Sequence, residues 1–377
     1  MKIRRVRVLG AVALGTMMVA FTVPMGGTSY ASATTDPITP LNVDYANITN
    51  ANASLAALST LIQGDFTQVG DTLKVYDNNA DPQTTINNAS LMEGDNPNVI
   101  MDWNPVAAEG TALQTVFAKN KVPCIAVNIA IPGCPLFNLP EVSLGRQIGD
   151  ELATFMKQKG WTGANTTILL GQNAPVGDAT NAIVREAYIA IASKIKGFKK
   201  VSLSAITATT TKFAKNAYQI NTTDQVDTSF TTTLSVLQDI PKKENIVFYG
   251  ITDETTQGAL QAFARDGRGS NELVGGNGGD AEGLGQLASN KEWVAESDPF
   301  VPQWGEYLDA MAHAFADGIT VPSVTEAPTV VLTKATLSKY YLPGSSSPRA
   351  LPALASQNQY LVKTGILQKF GNVTGVK

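Results

Sequence analysis

Four short apolar runs punctuate the chain: Val99-Ile100-Met101, Ile125-Ala126-Val127, Ile168-Leu169-Leu170 and Ile246-Val247-Phe248-Tyr249. Each gives way to polar or turn residues and then to a segment of helical period. Strands alternating with helices in this way predict parallel sheets with helices on both faces. Sheets of that kind bind ligands beyond the carboxyl ends of their strands. Here those ends carry Asp102-Trp103-Asn104, Asn128, Gln172-Asn173, Thr252-Asp253 and Asn277, a set rich in hydrogen-bonding side chains.

The same reading extends along the chain. Residues 34–53 are polar and show no strand. Helices are expected over 55–66, 82–92 and 105–119, the last with Pro105 near its start, where proline is favoured. Strands are expected over 73–76, 99–103 and 124–129. Residues 130–140 carry three prolines and no period, so they read as an irregular connection. A second series begins near Glu141. Ile148, Leu152, Phe155 and Met156 share one helical face, and Gly160 ends that helix. Strands follow at 166–170, 201–206, 246–249, 272–275, 293–296 and 329–332. The helices between them include one burying Val184, Ala187, Tyr188, Ile191 and Ile195. The Thr-rich stretch 207–223 reads as a loop or an insertion. After Leu342 a Gly-Ser-Ser-Ser-Pro linker leads to a tail that the pattern does not place.

The amino-terminal segment changes the compartment. Lys2, Arg4, Arg5 and Arg7 precede an apolar stretch of about 16 residues and then Ala31-Ser32-Ala33. This is the make-up of a secretory signal cut after Ala33, and the stretch falls short of the ~20 residues that span a bilayer. The remaining chain is long enough for two domains. A net charge of −4 offers no basic footprint, which excludes nucleic acid as the partner. There are two cysteines, Cys124 and Cys134. In an oxidising compartment they are candidates for a short-loop disulfide; the alternative is a strand thiol and an unrelated loop thiol.

Val274-Gly275-Gly276-Asn277-Gly278 precedes a helix and a short strand ending near Glu296. Pro302-Gln303-Trp304-Gly305 and a further helix come next. This order resembles the ribose- and galactose-type periplasmic binding proteins, the substrate receptors of ABC importers. Tyr76-Asp77-Asn78, Asn104-Pro105, Pro123 to Asn128, Gly145 to Gly149, Arg185 and Thr252-Asp253 fall in the matching order across residues 55–342. The resemblance implies two Rossmann-like α/β lobes with parallel sheets flanked by helices, joined by a three-segment hinge: the type I periplasmic binding fold. Its crossings are expected near residues 141–145, 296–300 and 321–328. The expected division is a signal peptide over 1–33, a first lobe over 34–142 plus 299–324, a second lobe over 143–298 plus 325–345, and a tail over 346–377. One departure stands out. The family opens with an apolar strand, and Leu41-Asn42-Val43 is a poor substitute for it.

A sugar demands side chains that donate and accept, a guanidinium fork and aromatic plates. Asn128 and Asn277 stand where the family has Asp, and either amide otherwise serves in a turn. Arg185 matches the family arginine. Thr252, Asp253, Trp103, Asn104 and Glu296 complete the candidate site, with N-capping the plainer role for Asp253 and core packing the plainer role for Trp103. The ligand is expected to bridge Asn128, Arg185 and Asn277, with Arg185 removable at little cost to stability. No cofactor or metal is expected. The expected partners are a monosaccharide-like ligand and an ABC permease, with the protein itself a monomer. A ligand-sensing adaptor for a membrane receptor is the alternative. A secreted hydrolase is disfavoured because the sole histidine, His313, has no G-x-S-x-G elbow to serve. Asp77 to Asp81 imitates a calcium loop but has Pro82 and Asn88 where glycine and glutamate belong, so it reads as strand-end and cap residues.

Overall fold

The structure, a computed structural model, describes residues 38–51, 53–119, 121–268 and 270–377. The export segment read over residues 1–33 lies outside them. In the first lobe β1 (Asn42–Asn47), α1 (Ala53–Val69), β2 (Thr72–Asp77), α2 (Pro82–Asp95), β3 (Val99–Asp102), α3 (Gly110–Phe117), β4 (Cys124–Val127) and β5 (Leu136–Asn138) follow one another. The chain then crosses into α4 (Glu141–Gln158), β6 (Thr166–Gln172), α5 (Gly177–Thr180), α6 (Ala182–Lys194), β7 (Lys212–Ala214), β8 (Ala217–Asn221) and α7 (Val226–Leu237). That lobe continues with β9 (Asn245–Gly250), α8 (Asp253–Arg265), β10 (Glu272–Asn277), α9 (Ala281–Ser289) and β11 (Trp293–Asp298). The chain returns as α10 (Trp304–Ala316) and β12 (Val324–Glu326), crosses again to β13 (Val330–Thr333) and α11 (Leu337–Tyr340), and ends beyond α12 (Ile366–Phe370).

The strands form two sheets, ordered β12-β5-β4-β3-β1-β2 and β13-β11-β10-β9-β6-β8-β7. All pairs in the first are parallel; in the second only the outer β13 and β7 run antiparallel to their neighbours. Strand alternation sorts the first sheet's side chains. Val43, Tyr45, Val99, Met101, Ile125, Val127 and Phe137 join the main core, while Ala46, Ile100 and Ala126 meet Met92, Leu113 and Phe117 on the opposite face. The chain passes between the two sheets at residues 138–141, 298–304 and 326–330.

Three expectations need correction. Residues 130–140, read as an irregular connection, contain β5, which pairs with β4 and β12. The opening strand exists: β1 lies in the sheet interior, with Val43 opposite both Leu73 and Val99. Its polar letters hid it, because Asp44 is buried on the helix-covered face and Asn42 and Asn47 sit at its ends. Residues 201–206 form no strand; only a 3-10 turn at Leu203–Ala205 is present. The strand position is taken instead by β8, from the Thr-rich stretch, which pairs with β6 and with the short antiparallel β7.

Cys124 and Cys134 are bonded, with Cα atoms 5.1 Å apart. The bridge ties the start of β4 to the connection before β5 and so tethers the loop that follows Asn128. The tail, unplaced by the sequence, folds back over the first lobe. Tyr360 hydrogen-bonds Thr325 at 2.6 Å, and Asn372 Nδ2 donates to Glu306 Oε1 at 2.6 Å. Among the described residues no helix is long and apolar enough to cross a membrane.

Candidate functional site: the cleft between the lobes

A cavity of about 610 Å3 opens where the two lobes meet. Asn138, Leu139, Pro140 and Glu141 line it from the first crossing and Glu326 from β12; Asp178, Ala182, Arg185 and Thr207 line it from the second lobe. The lobes also touch directly beside it. A Cβ placed on Gly177 would lie 2.9 Å from the Ala107 Cβ, and Gly177 has φ +89°, so both space and backbone demand glycine there.

Arg185 is buried in this wall, 1 % exposed. It sits in α6 rather than at a strand end, and reaches back over the sheet. Its Nε donates to Gln219 Oε1 at 2.9 Å, Nη1 to Asp178 Oδ1 at 2.9 Å and Nη2 to Gln172 Oε1 at 3.1 Å. The two glutamine amides are in turn aimed by the Thr-rich stretch: Gln172 Nε2 donates to the Ala208 carbonyl and Gln219 Nε2 to those of Thr207 and Thr210. Three of the five guanidinium N–H groups are thus used. The fork is held rigid by its own lobe, which the sequence did not reveal.

Glu141 is among the residues lining the cavity and is 6 % exposed, and its buried carboxyl oxygens have no hydrogen-bond partner. Burial pushes its carboxyl well above the ordinary range. The Asn138 Oδ1 is likewise buried and unpaired. Sequence reasoning missed both. An acid just after Pro140 in the first turn of a helix reads as a solvated, dipole-matched residue, and only the fold puts it under the hinge.

The remaining candidates fall into two groups. Thr252, Asp253, Asn277 and Glu296 come together at the carboxyl ends of β9, β10 and β11. Thr252 caps α8, its hydroxyl accepting from Thr255 N at 3.2 Å, while Asp253 is buried behind it. Asn277 Nδ2 donates to the Ile251 carbonyl at 2.6 Å and its Oδ1 is unpaired. Glu296 Oε1 accepts from Gly279 N and Oε2 from Trp293 Nε1, at 3.0 and 2.8 Å. Burial and the neighbouring carboxyl raise the Asp253 pKa; burial raises that of Glu296 as well. In the first lobe Trp103 packs against Trp304 with ring centroids 5.4 Å apart. Asn104 Oδ1 accepts from Val106 N at 2.8 Å, leaving Nδ2 unpaired. Asn128 follows β4 with φ +60° and a buried, unpaired Oδ1. Unpaired buried polar atoms therefore gather at the strand ends of both lobes. The stretch imitating a calcium loop is structural, with Asp81 capping α2 through Thr84 N at 2.7 Å.

No family model matches the chain, and no curated relative matches it. Its fold does match solved structures. An ABC transporter solute-binding protein from Mycobacterium smegmatis with bound glycerol superposes with a TM-score of 0.67 at 17 % identity, over 82 % of this chain and 99 % of that one. The Caulobacter myo-inositol binding protein bound to myo-inositol gives 0.66 at 16 %, over 80 % and 97 %. The arabinose-transporter binding protein from Shewanella sp. ANA-3, bound to α- and β-L-arabinofuranose, gives 0.63 at 16 %, over 79 % and 93 %. The two lobes thus define a type I periplasmic binding fold. Two of these neighbours are described as ABC transporter components, and the three hold glycerol, myo-inositol and arabinofuranose.

Proposed function

We propose that this chain is an exported receptor that captures a small polyhydroxylated ligand, a monosaccharide or close relative, between its lobes and delivers it to an ABC permease. The supporting observation is the cleft wall itself. A rigidly held Arg185 lines a cavity of about 610 Å3 together with Asn138 and Glu141, whose buried side-chain oxygens have no partner. Hydroxyl groups satisfy both kinds of wall, since each donates and accepts. The bound glycerol, inositol and arabinofuranose of the structural neighbours belong to the same chemical class. Thermal-shift screening of the mature protein against pentoses, hexoses and inositols, with amino acids and nucleosides as controls, tests the reading. Stabilisation by carbohydrates or polyols is expected. Stabilisation by amino acids alone would overturn it.

A further inference from the structure

At the amino ends of the first lobe's strands, far along the sheet from the cleft, Asp71, Asp309 and His313 converge. One ligand-capable atom from each lies within 4.8 Å of the other two, and all three residues are buried. His313 Nε2 is 2.7 Å from Asp71 Oδ2 and 3.6 Å from Asp309 Oδ1. The longer separation is close to what two ligand atoms leave between them when each stands about 2.0–2.2 Å from one tetrahedral ion, and the shorter, a hydrogen bond here, would have to open to admit one. Asp71 is oriented from outside the group, because its Oδ1 accepts from Leu41 N at 2.7 Å. Asp309 and His313 stand one turn apart on α10, so both point to the same spot.

The second observation concerns Asp309 alone. It is 0 % exposed, and neither of its oxygens has a hydrogen-bond partner. A buried carboxyl set against another carboxylate and an imidazole is costly unless a proton or a cation lies between them. Among the described residues His313 is the only basic group paired with either aspartate.

We propose that Asp71, Asp309 and His313 form a structural site for one divalent transition cation, of the class that takes mixed imidazole and carboxylate ligands, with Zn2+ as the representative ion. The ion would join the segment entering β2 to α10, fastening the amino edge of the first sheet to the helix above it. His313 gives its Nε2 lone pair to the ion and releases any proton carried there, so binding weakens in acid.

The test uses the mature protein stripped with a chelator and titrated with ZnCl2, read by calorimetry and by thermal melting. One Zn2+ per chain and a rise in Tm are expected. Asp309→Asn and His313→Gln should each weaken binding by at least about tenfold, a loss no smaller than that seen when groups behind the ligands are removed. Absence of binding, or binding unchanged in both variants, would overturn the proposal. If neither variant folds, Co2+ added to the wild-type protein decides. A visible band of low-coordinate, imidazole-ligated cobalt supports the site, and its absence shows that Asp309 instead shares a proton with Asp71.

Discussion

Arg185 differs from the residue that the sequence suggested. A guanidinium at a helix start reads as a free fork offered to ligand, removable without structural cost. In the structure Gln172, Gln219 and Asp178 all lean on it. Arg185→Ala strands two buried glutamine oxygens, so it should lower stability by about 2–3 kcal/mol, the scale of hydrogen bonds to a buried charge, as well as weakening sugar binding. Urea denaturation beside calorimetry separates the two effects. An unchanged denaturation midpoint would mean that the network is ornamental. What was legible at this scale was residue type at strand ends. Asn128, Asn277 and Thr252 stand at such ends because turns and caps follow strands there. Glu141 was illegible because its significance comes from the hinge covering it, and no local pattern records that. Asp253 was half legible: its burial is dictated by Gly276, Gly278 and Gly283, whose missing side chains leave room for its carboxyl.

Elements with strong periodicity, such as α4 and β9, were readable because core burial imposes a period on the letters. β1 was not, since an interior strand with Asp44 buried breaks the apolar run. β8 was not, because its inward Gln219 is a working polar group. The carboxyl ends of β3, β9 and β11 give a prediction that belongs here. Burial pushes Asp102 up to about 8 and raises both Asp253 and Glu296. These groups return to the ordinary carboxylate range when the chain unfolds. The native state then binds more protons between the two sets of values, and stability falls as pH rises through them. The protein should therefore be most stable below the ordinary range's upper edge and lose stability toward about pH 8. This slope is opposite to that of a protein held by salt-bridged carboxylates. Asp253→Asn places an amide donor where the proton bridging Asp253 and Glu296 would sit, and should flatten the slope in urea melts collected from pH 5 to pH 8. A slope identical to wild type would remove this pair from the account.

Across the whole molecule, the lobes approach tightly where Gly177 meets Ala107, and the proposed closure would depend on that contact. Gly177→Ala adds a methyl that meets the Ala107 side chain at 2.9 Å and also strains a left-handed backbone. The first effect penalises only the closed state and should weaken sugar binding on the order of tenfold; the second lowers stability whatever the ligand. Pairing it with Ala107→Gly should restore affinity but not the melting temperature. Scattering should show the single variant more expanded than wild type at equal ligand. Affinity that stays low in the pair would assign the loss to strain alone. That the chain crosses three times between the sheets was expected from the resemblance. The path of the tail was not, because a chain that packs by single side chains carries no period. That path has one more consequence. β12 is the outermost strand of the first sheet, and an uncovered outer strand invites pairing with other molecules. Asn358, on the tail, takes the Glu326 N–H on its Oδ1 at 3.1 Å and gives its Nδ2 to the Glu326 carbonyl at 2.6 Å. A single side-chain amide thus completes the ladder that a neighbouring molecule would otherwise extend, and the tail acts as the selvedge that keeps this sheet from being sewn to the next.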